Sequence, residues 1–494
     1  MDALPDHDAF LDRRHRIGVF GSGHPAAWLV VKNLMDLNTL QKKYPRFDFN
    51  GFTWEYANGA IAVKFDFIIE PDLRFAPRLV IENVSQESVK ILGKECLDNF
   101  IFNLGLAEIP SYWKATCAKE IAVKCGYLDA GQIRFWSDLF SNGMGQFFYE
   151  NNLAPFVPSF KVETVKPKIY PRPLSKRFSP DFLVPVGGGK DALVTYEALK
   201  MAKKNIATFV LNENAPLKRL IAAIGTDNIS VKRTIDPKLF ELKKLGYLNG
   251  HTPFSSYLAI LGIVIGALFD KKYVAISQER SSNEGNVEYR GQKVNHQYSK
   301  SFEFEKKVRA YSKKYLARNI DFFSSLRPLY EIQIAKIFSG FPKYFPYFLS
   351  CNKPYRITDS SKTTWCKKCP KCLFTFAALY PFCEKEQLIK LFGGNLFEDG
   401  ALIPLMEELV GKVKPFECVG TRLETVAVFY LSLKKETGSK KLPVLLEYFK
   451  NNILYGYPRI EKQANTVLAA WDKHNFVPIA VEKVLRSFIS IKIS

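Results

Sequence analysis

Along the first 150 residues the apolar positions keep changing their period. Ala60 to Ile69, AIAVKFDFII, alternates apolar and polar side chains, the pattern of a strand with one buried face. Aromatic-rich strand-like and helical stretches surround it, and residues 134–152 end in Tyr149-Glu150-Asn151-Asn152. Next comes a stretch dense in proline and lysine, with Pro155, Pro158, Pro167, Pro171, Pro173 and Pro180. Proline locks φ and lacks an amide hydrogen, so no regular helix holds there and the pattern predicts a linker over 155–180. Beyond it the rhythm changes. Asp181 to Val186 is a short apolar run, GGGKD follows, and a helical stretch runs from Ala192 to about Met201. Further strand-like runs lie at Ile206 to Leu211, Ile229 to Lys232 and Tyr273 to Ser277. Between the last two, Tyr257 to Phe269, YLAILGIVIGALF, is apolar on every side; its 13 residues are too few to cross a bilayer and predict a buried helix. Strands alternating with helices predict a parallel sheet. From about Glu386 the chain reads as mostly helical with basic surfaces, and no internal repeat or low-complexity tract interrupts it. The pattern thus predicts an α/β protein: an N-terminal α+β domain (1–154), the linker, a parallel-sheet domain (181–385) and a helical C-terminal region (386–494).

Composition sharpens this outline. Of 494 residues 47% are hydrophobic, enough for a sizeable core and two or three domains, which excludes wholesale disorder. The net charge of +21 is unevenly placed. Residues 1–150 hold 16 Lys and Arg against 19 Asp and Glu, whereas the remainder holds 54 against 30. A positive field over the second part draws in anionic ligands such as nucleoside phosphates or RNA; a basic surface serving only solubility would give the same numbers. The N-terminal MDALPDHDAFLDRRHR has no apolar segment of the secretory kind, so no signal peptide and no membrane insertion are expected. Nine cysteines, several at metal spacing, suit a reducing compartment, and the expected location is the cytoplasm.

The sharpest motif is the glycine turn Gly187-Gly188-Gly189-Lys190-Asp191 between a strand and a helix. Glycines let the backbone turn tightly and bring N–H groups close to an anion, and a helix start adds its positive end. Lys190 supplies a point charge for a phosphate, and Asp191 can cap the helix or help hold magnesium. Three glycines also make an ordinary strand-to-helix turn; the Lys-Asp pair and the flanking elements favour phosphate binding. A second motif joins Cys351 to Cys366, Cys369 and Cys372 as C-x14-C-x2-C-x2-C. Four thiolates at that spacing suit a closed, structural zinc, with an iron–sulfur cluster as the alternative. Three polar islands sit where loops should follow strands: Arg233 to Pro237; Asn249 to Pro253, with His251; and Ser277 to Glu303, with Glu279, Asn283, Asn286, His296, Lys300 and Glu303. Each histidine reads either as a structural hydrogen bond in a turn or as part of a crowded polar site.

The glycine turn resembles the PP-loop signature SGGxDS of the ATP pyrophosphatases at Gly188, Gly189 and Asp191, with Gly187 and Ala192 in place of the two serines. In order, VPVGGGKDA, NGHTP, SSNEGN, VNHQYSKSFEFE, LSCN, WCKKCPKC and KPFECVGT, with GLAEIPSYWKA and FFYENNL in the N-terminal part, resemble the ATP-dependent UDP-N-acetylmuramoyl-L-alanyl-L-glutamate epimerase family. The likeness runs from roughly residue 50 to residue 425. The resemblance implies a PP-loop (HUP-like) catalytic domain, ATP and Mg2+ as cofactors beside a structural zinc, and a UDP-linked muramoyl dipeptide as substrate. It implies inversion of the terminal glutamate through an acyl-adenylate, with AMP and diphosphate released. His251, His296, Glu279 and Glu303 are the candidate proton-transfer residues, in no order. Gly187, Gly188, Gly189, Lys190, Asp191, Arg233, Asn283, Asn286 and Lys300 are the candidate nucleotide contacts. Parts of the pattern also resemble the 7-cyano-7-deazaguanine synthases, so that class, a tRNA-modifying PP-loop enzyme, and a non-catalytic nucleotide- or RNA-binding zinc protein remain as alternatives. Nucleic acid has no place in the epimerase reading.

Overall fold

The computed structural model describes residues 35–163, 172–353 and 364–490. The sequence readings on the N-terminal MDALPDHDAFLDRRHR and on Pro167 and Pro171 lie outside those residues.

One eleven-stranded sheet runs through the protein. In chain order its strands are β1 (Arg46–Ala57), β2 (Ala60–Ile69), β3 (Leu73–Phe75), β4 (Arg78–Ile81), β5 (Glu120–Val123), β6 (Ser159–Val162), β7 (Ser179–Pro185), β8 (Ile206–Leu211), β9 (Asn228–Thr234) and β10 (Lys271–Ile276). A small hairpin, β11 (Val287–Tyr289) and β12 (Gln292–Val294), stands apart, and β13 (Asp321–Ser324) completes the sheet. The spatial order is β13-β10-β7-β8-β9-β4-β2-β1-β5-β6, with β3 beside β2. The first five strands in that order are parallel to one another. Numbered from β7, they read 5-4-1-2-3, the doubly wound arrangement in which the strand order reverses between β7 and β10.

Local chemistry explains several elements. The alternation of β2 buries Ile61, Val63, Phe65 and Phe67 while Lys64 faces out. Asn58 and Gly59 make the two-residue turn between β1 and β2 with φ 51° and 74°, as the twist of a tight hairpin requires. Neighbouring residues of the parallel strands belong to two separate cores: Leu183 and Val274 to one, Phe182, Val184 and Ala275 to the other. The sheet is therefore covered on both faces. Phe254–Leu268, the expected buried helix, packs on the first face against β10 and the helix Gln86–Trp113. Lys190–Met201 packs on the second, beside Glu331–Ser339. The C-terminal region is helical, from Pro370–Leu379 to Ile479–Ser490. No helix among the described residues is long and apolar enough to cross a membrane.

The N-terminal strands join the parallel set through an antiparallel pairing of β4 with β9, Arg78 opposite Thr234 and Ile81 opposite Val231. β6, within the proline-rich stretch, pairs in parallel with β5 at the far edge. Close to the junction a buried ion pair crosses from one half to the other. Arg233 Nε donates to Glu108 Oε2 at 2.8 Å and its Nη2 donates to Glu108 Oε1 at 2.5 Å, with Ser111 Oγ accepting at 3.1 Å. The two side chains are 9% and 1% exposed. Removing one partner leaves the other charge buried and uncompensated. Glu108→Ala should therefore lower unfolding free energy by about 3–5 kcal/mol, whereas Glu108→Leu with Arg233→Met should recover most of the loss. Denaturant melts of the two variants check this; a Glu108→Ala protein as stable as its parent would remove the pair from that role.

Candidate functional site

The glycine turn stands at the carboxyl end of β7, beside the place where the strand order reverses. Gly188 has φ 91°, a region that side-chain-bearing residues rarely adopt, and its carbonyl accepts the Leu349 N–H at 2.8 Å. Gly189 caps the helix Lys190–Met201 and has no side chain to occupy the first-turn N–H groups, so the positive end stays open to an anion. A Cβ on Gly189 would stand 3.3 Å from Ser350 Oγ, which places a hydroxyl over the turn.

Three carboxylates converge on this turn. Asp191, Glu279 and Glu331 come from the helix start, the loop after β10 and the start of Glu331–Ser339, and their oxygens lie within 4.8 Å of one another. Lys190 Nζ donates to Asp191 Oδ1 at 2.6 Å and also to Glu331. Burial opposes the charge on Lys190, but Asp191 and Glu331 together hold it protonated well above the ordinary lysine range. Burial also pushes the Glu331 carboxyl well up, with Asp191 adding to the shift and Lys190 opposing it. Burial likewise raises Glu279, against the pull of Lys300. Glu279 is 3% exposed and its Oε1 has no hydrogen-bond partner. Crowded acids with a spare buried oxygen suit a hard divalent cation.

The loop carrying Glu279 is held by Arg327, whose side chain is fully buried. Arg327 Nε donates to Glu305 Oε2 at 2.9 Å. Nη1 donates to the Glu279 carbonyl at 2.8 Å and to Ser282 Oγ at 2.9 Å. Nη2 donates to Gln278 Oε1 at 3.2 Å and to the Lys300 carbonyl at 2.6 Å. All five guanidinium donors are used.

Behind the carboxylates lies a second, half-buried cluster. Lys300 Nζ donates to Cys418 Sγ at 3.1 Å, and Cys418 Sγ stands 3.8 Å from His296 Nε2. His296 Nδ1 is 2.5 Å from Gln146 Oε1, and Gln146 Nε2 donates to Glu150 Oε1 at 2.6 Å. The rings of His251 and His296 are 4.7 Å apart, and His251 Nε2 is buried without a partner. Burial, then Lys300, Lys371 and Lys414, holds His296 down at about 3. Burial, then His296, Lys114 and Lys300, holds His251 well below its usual value. Lys114 donates to the Gly250 carbonyl at 2.8 Å, and burial with Arg233 and Lys243 lowers its ammonium to about 8.

The four cysteines of the spaced motif meet. Sγ separations are 4.0 Å for Cys351–Cys369, 3.7 Å for Cys366–Cys372 and 3.5 Å for Cys369–Cys372. Sulfurs bound at about 2.3 Å around one tetrahedral ion sit roughly 3.8 Å apart, so these residues suit a single ion. An iron–sulfur cluster would spread the thiolates over several irons.

The structure thus brings together Gly187, Gly188, Gly189, Lys190, Asp191 and Glu279, and close behind them Lys300, His296 and His251. Other candidates stand elsewhere. Arg233 is committed to Glu108. Asn283 accepts from the Phe302 N–H and donates to the Arg280 carbonyl, closing its own loop. Asn286 positions His296 by accepting its N–H at 2.9 Å and donates to the Pro415 carbonyl. Glu303 is 59% exposed and paired with Lys307 at 2.6 Å. Sequence reasoning missed Glu331, Arg327, Lys114 and Gln146. It quoted Cys418 inside KPFECVGT without selecting it, although a cysteine in a motif-like stretch outside the metal spacing was the available signal.

Residues 38–325 match the MurL N-terminal domain, and residues 347–453 match the MurL C-terminal domain. The UDP-N-acetyl-alpha-D-muramoyl-L-alanyl-L-glutamate epimerase of Salinispora tropica is 34% identical over 347 residues, 68% of this chain and 73% of the relative. The protein of the same name from Micromonospora sp. is 32% identical over 331 residues, 66% and 73% of the two chains. That from Xanthomonas oryzae pv. oryzae is 29% identical over 392 residues, 76% and 84%. No solved structure matches the chain.

Two outcomes follow from the geometry. Gly188→Val forces a β-branched residue to φ 91°, at a cost of about 1–3 kcal/mol. Its far-UV signal should stay native while any binding of ATP, measured by equilibrium dialysis against the parent protein, weakens on the order of 100-fold, about 3 kcal/mol; unchanged ATP binding would remove the glycine turn from phosphate binding. Elemental analysis should find about one zinc per chain, and Cys369→Ser should lower metal content and melting temperature together. Iron with visible absorption, or a metal-free protein of unchanged stability, would overturn that assignment.

Proposed function

The chain belongs to the MurL family, and from that premise we propose that it inverts the terminal L-glutamate of UDP-N-acetylmuramoyl-L-alanyl-L-glutamate to D-glutamate. The reaction consumes ATP, releases AMP and diphosphate, and serves peptidoglycan precursor synthesis in the cytoplasm. The observation that carries the reading is the open glycine turn facing Asp191, Glu279 and Glu331, with the Lys300–Cys418–His296 cluster behind it.

The α-hydrogen beside a carboxylate is a very poor acid, because its removal places a second negative charge on the same group. Transfer of AMP to the carboxylate removes the first charge and leaves an electron-withdrawing acyl group, after which a positioned base can take the proton. In this reading the N–H groups at Gly188 and Gly189 and the helix start take phosphate oxygens, with Ser350 offering the hydroxyl absent at Gly187 and Ala192. Magnesium held by Asp191, Glu279 and Glu331 would neutralise the triphosphate. Lys300, Lys371 and Lys414 make a basic surround around His296 that suits a substrate bearing a diphosphate and carboxylates. Zinc on the four cysteines would close the loop Leu349–Cys351 against the turn, since Leu349 bonds Gly188.

Incubation with ATP, magnesium and the UDP-linked dipeptide in deuterated water tests the whole. AMP and pyrophosphate should appear, and chiral analysis after hydrolysis should find D-glutamate carrying deuterium at its α-carbon. Free L-glutamate should react poorly, because it lacks the remote groups whose binding assists the reacting centre. ADP as product, or inversion without deuterium, overturns the mechanism; pyrophosphate release only with a deazaguanine acid transfers the site to that chemistry.

A further inference from the structure

We infer that Cys418 is the group that takes the substrate's α-proton, with Lys300 as its activating partner and His296 orienting its sulfur. The inference rests on the adenylate reading above and names the residue that this reading leaves open.

The argument starts from a hydrogen-bonded chain. Gln146 Nε2 donates to Glu150 Oε1 at 2.6 Å, which turns Gln146 Oε1 toward His296 Nδ1 at 2.5 Å. An amide oxygen only accepts, so Nδ1 carries the hydrogen and Nε2 is left bare. That bare nitrogen faces Cys418 Sγ at 3.8 Å. From the other side Lys300 Nζ donates to the same sulfur at 3.1 Å. An imidazole nitrogen held by a third group gives the thiol hydrogen one acceptor and so orients the sulfur, and an ammonium against the sulfur favours the thiolate. The lysine is fixed in turn, because its carbonyl accepts from Arg327 Nη2 at 2.6 Å and from Ser282 Oγ at 3.0 Å. Arg327 holds the Glu279 carbonyl as well, so one side chain positions both the sulfur's partner and the carboxylate cluster.

Cys418 does not stand alone. Glu279 Oε1 and His251 Nε2 are both buried and unpartnered. Glu279 acts electrostatically on Lys300 and on Cys418, and the His251 ring lies tilted against that of His296 with centroids 4.7 Å apart. Two orphaned polar atoms beside a reactive sulfur mark a place built for a ligand. None of the cysteines of the metal motif is in hydrogen-bond contact with Cys418.

The step balances simply. The thiolate sulfur forms an S–H bond with the α-hydrogen, and the C–H electron pair moves into the activated carboxyl as an enolate. A proton delivered from water to the opposite face rebuilds the C–H bond in the inverted sense. The thiol returns its proton to solvent, so no oxidant or reductant enters. Hydrolysis of the acyl-phosphate bond then frees the product and AMP.

The test separates activation from proton transfer. Cys418→Ala and Cys418→Ser are compared with the wild type for substrate-dependent ATP–pyrophosphate exchange and for α-deuterium incorporation in deuterated water, with thermal melts to verify folding. Exchange should persist in both variants while deuterium incorporation and inversion fall about 100-fold or more. Inversion within threefold of wild type in either variant overturns the proposal. A glutamyl adduct on the Cys418 peptide, found by mass spectrometry of acid-quenched wild-type enzyme, overturns it in favour of a thioester. Folded variants that lose exchange and inversion equally also overturn it, because Cys418 would then serve the nucleotide site. Wild-type enzyme without pyrophosphate release overturns the adenylate reading itself and this inference with it, a result distinct from a variant that still inverts.

Discussion

Arg327 is the constraint from which the site follows. A guanidinium taken wholly out of water is tolerable only if its charge is paired and every donor is satisfied. Here Glu305 balances the charge and the backbone and side chains of Gln278, Glu279, Ser282 and Lys300 take the remaining donors. Glu305 is itself tied, accepting the Ser324 N–H at 2.9 Å at the end of β13. The long polar loop after β10 therefore has one low-energy course, and that course carries Glu279 toward the glycine turn and Lys300 toward Cys418. The high stability cost of losing such a pair makes the site's geometry part of the fold rather than an ornament on a mobile loop.

A second buried charge plays a similar role for the C-terminal helices. Glu424, fully buried near the start of Arg422–Lys435, accepts from Ser281 Oγ at 2.6 Å, from the Thr421 N–H at 2.7 Å and from the Ile332 N–H at 3.2 Å. One carboxylate thus joins the site loop, the helix that begins with Glu331, and the segment that presents Cys418. The helical region closes the site from behind, and its basic residues Lys371 and Lys414 contribute to the field around His296.

What could be read in the sequence was what has a local signature. Period-two alternation marked β2, the all-round apolar run marked Phe254–Leu268, the glycine turn marked the strand-to-helix junction, and the cysteine spacing marked four sulfurs that do converge. Glu331 and Arg327 have no such signature, because each acts on residues well removed from it in the chain. Glu331 opens a helix whose pattern EIQIAKIFS looks merely amphipathic. Glu303 was chosen for its neighbours in the chain, yet one residue's difference in helical phase turns it to solvent while Phe304 and Glu305 turn inward. The sheet's continuity was also illegible, since the pairing of β4 with β9 joins residues separated by the whole proline-rich stretch.

That antiparallel seam has a consequence for how the chain is born. Strand β4 leaves the ribosome well before β9, separated by about 150 residues of further synthesis. At 5–20 residues per second, roughly 8–30 s pass in which the β9-facing edge of β4 has no neighbour. An open, apolar strand edge is a template for wrong partners. The nascent N-terminal half is thus exposed to misassociation until the parallel-strand half arrives to cover it, and synthesis speed becomes a determinant of yield.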